Sequence, residues 1–369
     1  MTKRNGSGRR FIGAAVVILG VSAATYALEH IGAFDHFETA GLDSFNLLQR
    51  VRDPREVVMI GITDADYAGD LFNATSPLAC ASVRRVLAAV VSGQPRAIAV
   101  DLDTSSPGFG CLADLPPDWP PIIWAQDAIW HHDTRAFELI PVLSGTKLRS
   151  ADRTGVVQFP QESDGVIRSY VRTVPVVGGG DAESFPWVLV ATDTTRNRDD
   201  GEPEELRLNF SGERFKFEPL SVSNLLAIAE ASDASGWKTN GPLKGRIALL
   251  GGNYRAARDA YVTPVGPMQG VQILAQAIES ETHHGGIRPV NEWLAFLVEI
   301  LSGVLLVAVH HRLHARPGRA LILSVVLMPG LVLASSLIAF STLALWFNFV
   351  PVVVSVLIHQ LWERIPAAP

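Results

Sequence analysis

RIALLGGNYRAARDAYVTPVGPMQGV, residues Arg246 to Val271, holds an α/β architecture in miniature. Ile247 to Leu250 is a short apolar run closed by Gly251 and Gly252, the pattern of a buried strand ending in a sharp turn. Asp259 follows in a loop, then Thr263–Pro264, and Gly270–Val271 open an apolar-periodic helix through Ile278. An α/β domain presents polar groups at a strand's carboxyl end in this order: strand, glycine turn, acidic loop, helix.

The same grammar recurs upstream. Val57 to Ile62 is a continuous apolar run followed at once by Asp64 and Asp66. Ala81 to Val91 carries Val83, Val86, Leu87 and Val90 on one helical face, with Arg84 and Arg85 beside it, and Gly93–Gln94–Pro95 breaks it. Ala97 to Val100 is a second strand, ending in Asp101 and Asp103. Strand, helix and strand with short connections make a βαβ unit, so a largely parallel sheet is predicted, with Asp64 and Asp101 brought near each other at its carboxyl edge. Ile122 to Ala125 reads as a third strand. Gly155 to Phe159 and Val166 to Val174 read as a β-pair around the turn Ser163–Asp164–Gly165. Trp187 to Thr192 and Ser221 to Ala231 read as helices, Leu206 to Phe210 as a strand, and the charged segment Asp193 to Glu205 as a surface loop.

Apolar runs flank this block. The chain has 369 residues, 48% hydrophobic and 18% charged, with a mean hydropathy of +0.22, too apolar for an ordinary soluble protein and too polar for a pure membrane bundle. Residues 1–10 carry four basic side chains and no acid, and 11–28 is an uncharged run of spanning length. A retained anchor with a cytoplasmic tail is the reading; a signal peptide cleaved near Thr25 and Ala27 is the alternative. Residues 29–290 form one extracytoplasmic block, which opens with a helical pattern from Phe34 to Leu48 bearing Asp43 and leading to Arg50. Residues 291–310, 320–340 and 343–362 are three further predicted spans. The basic loop 311–319 and the tail 363–369 fall on the cytoplasmic side. The expected fold is therefore an α/β extracytoplasmic domain plus a four-helix transmembrane part in a bacterial inner membrane, both termini cytoplasmic.

This order of parts resembles the CHASE2 domain proteins, extracytoplasmic sensory modules of bacterial signalling proteins. LDSFNLLQR (42–50) resembles the family's entry helix, and VVMIGITDAD (57–66) its first strand ending in an acid. Arg84 sits where the family's helix usually carries an arginine. AIAVDLD (97–103) resembles its VxxDxxF strand, although Thr104 stands where an aromatic or aliphatic residue is common. LKGRIALLGG (243–252), Asp259, Thr263–Pro264 and Gly270–Val271, with Ala275 and Ala277, resemble the closing segment. The resemblance implies a sensor that signals through its spans. Many family members continue into a kinase or cyclase domain; no effector is expected here, so the output falls to a separate membrane or cytoplasmic partner in a homo-oligomer or hetero-complex. A structural or assembly subunit is the alternative role.

Candidate site residues follow from the edge. Asp64, Asp66, Asp101, Asp103 and Asp259 could gather there to bind a cation or a cationic or hydroxylated ligand. Alternatively they cap helices and pair with Arg84, Arg85 or Arg255. CxxC, HExxH, GxGxxG and GxxxxGK[ST] are absent, so no metal or cofactor is expected; paired carboxylates could do general acid–base work, but with no matching nucleophile, metal triad or phosphate loop an enzyme is the less favoured alternative and none is expected. The His131–His132, His283–His284 and His310–His311 pairs point apart and read as solvated or membrane-interface histidines. The net charge of −6 and the lack of a long basic stripe give no support to nucleic-acid binding. Cys80 and Cys111, both in the outer block, are a disulfide candidate, or two separate small core residues. Glu299 inside a span, with Ser302 and Gly303 on the same face, marks a helix-packing surface in the lipid; a glutamate that snorkels to the interface is the alternative.

Overall fold

A computed structural model of the protein describes residues 5–49, 54–191, 205–210, 219–231, 235–282, 286–313 and 317–363. Arg50, His283, His284 and Arg316, as well as residues 193–204 of the charged loop, lie outside the described residues. The chain forms two compact units, residues 1–49 with 287–369, and residues 50–286.

The first unit opens with helices α1 (Asn5–His30) and α2 (Asp35–Leu48). Asp35 and Glu38 lie in the first turn of α2, where the helix dipole favours acids. The sequence reading placed α2 at the head of the α/β block; in the structure it belongs to the helical unit. Its apolar face finds aromatic partners there: Phe45 lies 5.3 Å from Trp346 and 5.8 Å from Phe349, ring centre to centre, and Leu42, Phe340 and Ile287 complete the cluster.

The second unit is built on six strands, β1 (Val57–Thr63), β2 (Ala97–Asp101), β3 (Ile122–Gln126), β4 (Arg153–Val156), β5 (Leu220–Ser221) and β6 (Ile247–Asn253). All pair in parallel, in the order β5–β1–β6–β2–β3–β4. Both faces are covered, which is why these strands read as unbroken apolar runs. On one face α3 (Cys80–Ser92) and, later in the chain, a helix at Val222–Glu230 pack Val83, Val86, Leu87 and Leu225 on Ile98, Val100 and Leu250. On the other, α4 (Phe185–Ala191), which precedes that helix (α5), joins α6 (Gly270–Thr282) against Met59, Ala97, Ala99 and Leu249. Small residues set this second spacing: a Cβ on Gly251 would stand 2.5 Å from Val271 Cγ2.

Two sequence readings change. The segments 155–159 and 166–174 do not form one hairpin. The turn closes, with Gly165 N–H donating to Glu162 O at 2.8 Å, but Arg153–Val156 joins the parallel sheet and Ser169–Val171 pairs antiparallel with Glu205–Arg207. Strands β1 and β2 are not neighbours either, because β6, last in the chain, is inserted between them.

The helical unit resumes with α7 (Glu292–Arg312), capped by Asn291, whose side chain accepts from Trp293 N–H at 2.9 Å. A helix Pro317–Ile322 then runs through a π-helical turn, Leu323–Leu327, into α8 (Met328–Leu343). The span expected from Leu343 begins only at Val350, as α9 (Val350–Glu363). Ala344 takes the left-handed conformation that ends α8, and Leu345–Trp346 pair as a short strand with Arg288–Pro289. Among the described residues, Leu323–Leu343 is long and apolar enough to cross a membrane, and Trp293–Val309 is a shorter apolar stretch.

Candidate functional site

The carboxyl edge of the sheet sorts the predicted acids into two groups. Asp64 and Asp66 follow β1, on the far side of β6 from β2, and serve the architecture. Asp66 is buried and closes a capping box with Thr63, accepting from Thr63 N–H at 2.9 Å. It also accepts from Ser223 N–H at 3.0 Å and from the Ser223 hydroxyl, so one carboxylate starts two helices. Burial works against its charge, but these hydrogen bonds outweigh burial and hold its pKa below the usual value. Asp64 accepts from Arg255 N–H at 2.9 Å and lies 3.8 Å from the exposed Arg255 guanidinium.

Arg84 pairs with no acid in this edge. Its guanidinium donates to the carbonyls of Cys111, at 3.4 Å, and Asp114, at 3.2 Å. Cys80, one helical turn earlier on α3, is disulfide-bonded to Cys111. Both side chains therefore fasten the loop after β2 onto α3. Arg85 turns to Glu230 on α5, at 2.7 Å.

The second group sits over β6, β2 and β3. Asp101 ends β2 in register with Gly251 of β6, and a Cβ on Gly251 would come within 3.2 Å of Asp101 Oδ2. Asp259, in the loop after β6, lies against the first turn of α6, where Gly270 N–H donates to its backbone carbonyl at 2.9 Å. A Cβ on Gly270 would collide with the Asp259 carboxylate, so glycine is required by close approach. The Tyr261 hydroxyl lies beside Asp259 and favours its charged form. Asp127, one residue beyond β3, completes the group. Asp103 stands beside it and accepts from Ser105 N–H at 2.9 Å, turning the loop. A cavity of about 40 Å³, room for a water or a small ion, is lined by Asp101, Asp103, Thr104, Ser105 and Asp127 among others.

Their electrostatics are mutually unfavourable. Burial first, then Asp259 and Asp127, pushes the Asp101 carboxyl up to about 8. Asp127 is raised by burial, Asp103 and Asp259. Asp259 is raised by burial, although Tyr261 and Gly270 favour its charged form. Burial and the same carboxylates push the Tyr261 hydroxyl up to about 12. Among the described residues none of Asp101, Asp127 and Asp259 makes an ion pair, and no three His, Cys, Asp or Glu side chains are placed to hold a metal. Of the five predicted acids the structure thus unites Asp101, Asp103 and Asp259, and sets Asp64 and Asp66 apart. Asp127 and Tyr261 escaped the sequence reading. Asp127 obeys the rule applied to the other strands, an acid at the carboxyl end of an apolar run.

These features belong to a known family. The CHASE2 domain family matches residues 14–309. The chain is a member of the CHASE2 family, a family of extracellular sensory domains. No curated protein and no solved structure matches it significantly. The match takes in most of α1, all of α2, the whole α/β unit and most of α7.

The helical unit holds the other predicted feature. Glu299 on α7 is 5% exposed. Its Oε1 accepts from the Thr25 hydroxyl on α1 and from the Ser355 hydroxyl on α9, the latter at 2.5 Å. Gly303 is buried, and the Ser302 hydroxyl returns to the Val298 carbonyl at 2.7 Å.

Proposed function

We propose that this chain is a membrane-anchored extracytoplasmic sensor that passes a signal through its transmembrane helices to a separate partner. The observation that carries the input end is the group Asp101, Asp127 and Asp259: three carboxyls at the ligand-favoured edge of a parallel sheet, raised together and unpaired among the described residues. A cationic or hydroxylated ligand bound at this edge would relieve that repulsion, and its arrival or loss would reset the loops after β2, β3 and β6.

Four spans are part of the proposal. What supports them is an inverted distribution of polarity in the helical unit. Ser22, Thr25, Glu299, Ser324, Ser336 and Ser355 are buried, while Leu19, Trp293, Leu297, Leu301, Val326, Leu331 and Ile338 are exposed. In water such a surface is unfavourable; in lipid it is the expected one. The lengths of α1, 26 residues, and α7, 21 residues, suit a span of about 20, as does the 21-residue stretch Leu323–Leu343, whereas α9 is described over 14 residues. The α/β unit then lies outside, because the basic tail and the basic loop after α7 favour the cytoplasm. The proposed partner is a kinase, a cyclase or a comparable effector.

Crosslinking in native membranes followed by purification tests the reading. A signalling enzyme should copurify, and Asp101→Asn or Asp259→Asn should abolish its response while leaving the association intact. An envelope-assembly partner, or turnover of a small molecule by the α/β unit, would overturn it.

A further inference from the structure

Helix α2 carries apolar residues on two faces, and packing within the helical unit accounts for one of them. The buried face holds Gly41, Leu42 and Phe45, laid on Phe340, Trp346 and Phe349. Contact is so close that a Cβ on Gly41 would stand 3.1 Å from the Phe349 ring. Phe37, Ala40, Ser44, Leu47 and Leu48 recur at helical spacing as a second stripe, exposed along its whole length. Phe37 is 63% and Leu48 65% exposed. His36, Thr39 and Asp43 stand between these two faces as a polar edge. A surface helix of a soluble protein pairs one buried apolar stripe with a polar remainder. In α2 that remainder is itself divided, polar on one side and apolar on the other.

The place of α2 in the helical unit says what covers the apolar stripe. A tight turn joins it to the end of α1: Gly32 N–H donates to Glu29 O at 2.9 Å, and Ala33 N–H to Leu28 O at 3.0 Å. Its buried face meets the end of α8 and the start of α9, where the chain reverses. Trp346, in that reversal, donates its Nε1–H to Glu38 at 2.8 Å, an indole with one apolar and one polar side of the kind found at membrane–water boundaries. Helix α2 therefore lies across the helix ends that the proposed topology puts outermost. Just before it in the chain, Leu28 and Ile31 are exposed as well, Ile31 at 77%. With 14 residues α2 is about 21 Å long, too short to cross a hydrocarbon core of about 30 Å.

We infer that α2 lies flat in the outer headgroup layer, with the stripe from Phe37 to Leu48 on lipid and the edge from His36 to Asp43 in water. The inference rests on the four-span anchoring proposed above. An interfacial helix buries its apolar face about 5–10 Å into the boundary between headgroups and acyl chains. Charge selects the lipid class. Asp35, Glu38 and Asp43 are joined by no Lys or Arg in α2, so a zwitterionic surface suits it and an anionic one does not.

Nitroxide labels on the full chain in phosphatidylcholine nanodiscs test this, through relaxation by oxygen, which concentrates in lipid, and by a water-soluble nickel chelate. Cys80 and Cys111 are bonded to each other and take no label without reduction. Ser150→Cys, exposed in the α/β unit, reports water, and Leu331→Cys, exposed within α8, reports lipid. Phe37→Cys and Leu48→Cys should give an oxygen-to-nickel ratio several-fold above that of Ser150→Cys and below that of Leu331→Cys. Thr39→Cys, on the polar edge, should resemble Ser150→Cys. Either stripe position serves should the other variant fail to fold. A water-like ratio at a stripe position, or shielding from both reagents with spin–spin broadening, as beneath a second copy of the chain, would overturn the inference; a lipid-like Leu331→Cys in the same experiment would leave the anchoring intact. A water-like Leu331→Cys would remove the anchoring and this inference together.

Discussion

At Asp101, burial and two neighbouring carboxylates hold the proton up to about pH 8, far above an ordinary aspartate. The folded state therefore binds a proton that the unfolded chain releases near pH 4. Stability from this group is fully present below about pH 4 and is lost as pH rises through about 8. Asp101→Asn removes the titration. Its thermal midpoint should draw ahead of the wild type between about pH 4 and 8, by an amount on the order of a few kcal/mol at the upper end; parallel pH profiles would contradict this. Gly270 carries a second prediction. Gly270→Ala puts a methyl group into the Asp259 carboxylate and should displace the loop, costing roughly 1–3 kcal/mol by thermal unfolding and exposing Tyr261. At this scale Asp101 and Asp259 were legible in the sequence, because each follows an apolar run or its glycine turn. Asp64 and Asp66 looked the same and were not separable from them. Their separation depends on β6 entering between β1 and β2, a long-range pairing that no local pattern records.

Among the elements, α3 and the loop after β2 are joined twice, by Cys80–Cys111 and by Arg84 to two carbonyls of the same loop. Closing a 31-residue separation stabilises by about 3–4 kcal/mol in the chain-entropy model. Replacing both cysteines with serine should lower stability by that order, and alkylation of native protein should find no free thiol; two alkylated thiols would contradict the bond. In the helical unit, α1, α7 and α9 meet at Glu299. Glu299→Leu deprives the Thr25 and Ser355 hydroxyls of their shared acceptor and should cost about 1–2 kcal/mol in detergent while abolishing the output. A variant with unchanged stability and output would show that this contact carries nothing. The central strands of the α/β unit were readable as unbroken apolar runs and α3 and α6 as apolar faces at helical spacing, but the partners of Arg153–Val156 and Ser169–Val171 were not. Nor was the break between α8 and α9. Leu343 to Phe347 is as apolar as a span, and only the left-handed Ala344 and the pairing of Leu345–Trp346 with Arg288–Pro289 interrupt the helix.

The whole molecule divides into an α/β unit of residues 50–286 and a helical unit, and the proposed function assigns sensing to the first and anchoring and transmission to the second. The two are joined covalently at both ends of the α/β unit, so a change at the acidic edge has two backbone routes to the helices. Family membership supports the sensing half, and the buried-polar, exposed-apolar pattern of the helices supports the anchoring half. Neither has meaning unless the α/β unit lies outside the cytoplasm and the loop after α7 inside. Substituted-cysteine labelling in intact cells measures this directly, with Cys80 and Cys111 replaced by serine. Ser150 and Arg312 are exposed positions in the α/β unit and at the end of α7. A membrane-impermeant maleimide should label Ser150→Cys in intact cells and Arg312→Cys only after permeabilisation; labelling of Arg312→Cys from outside, or protection of Ser150→Cys until the cells are opened, would contradict the account.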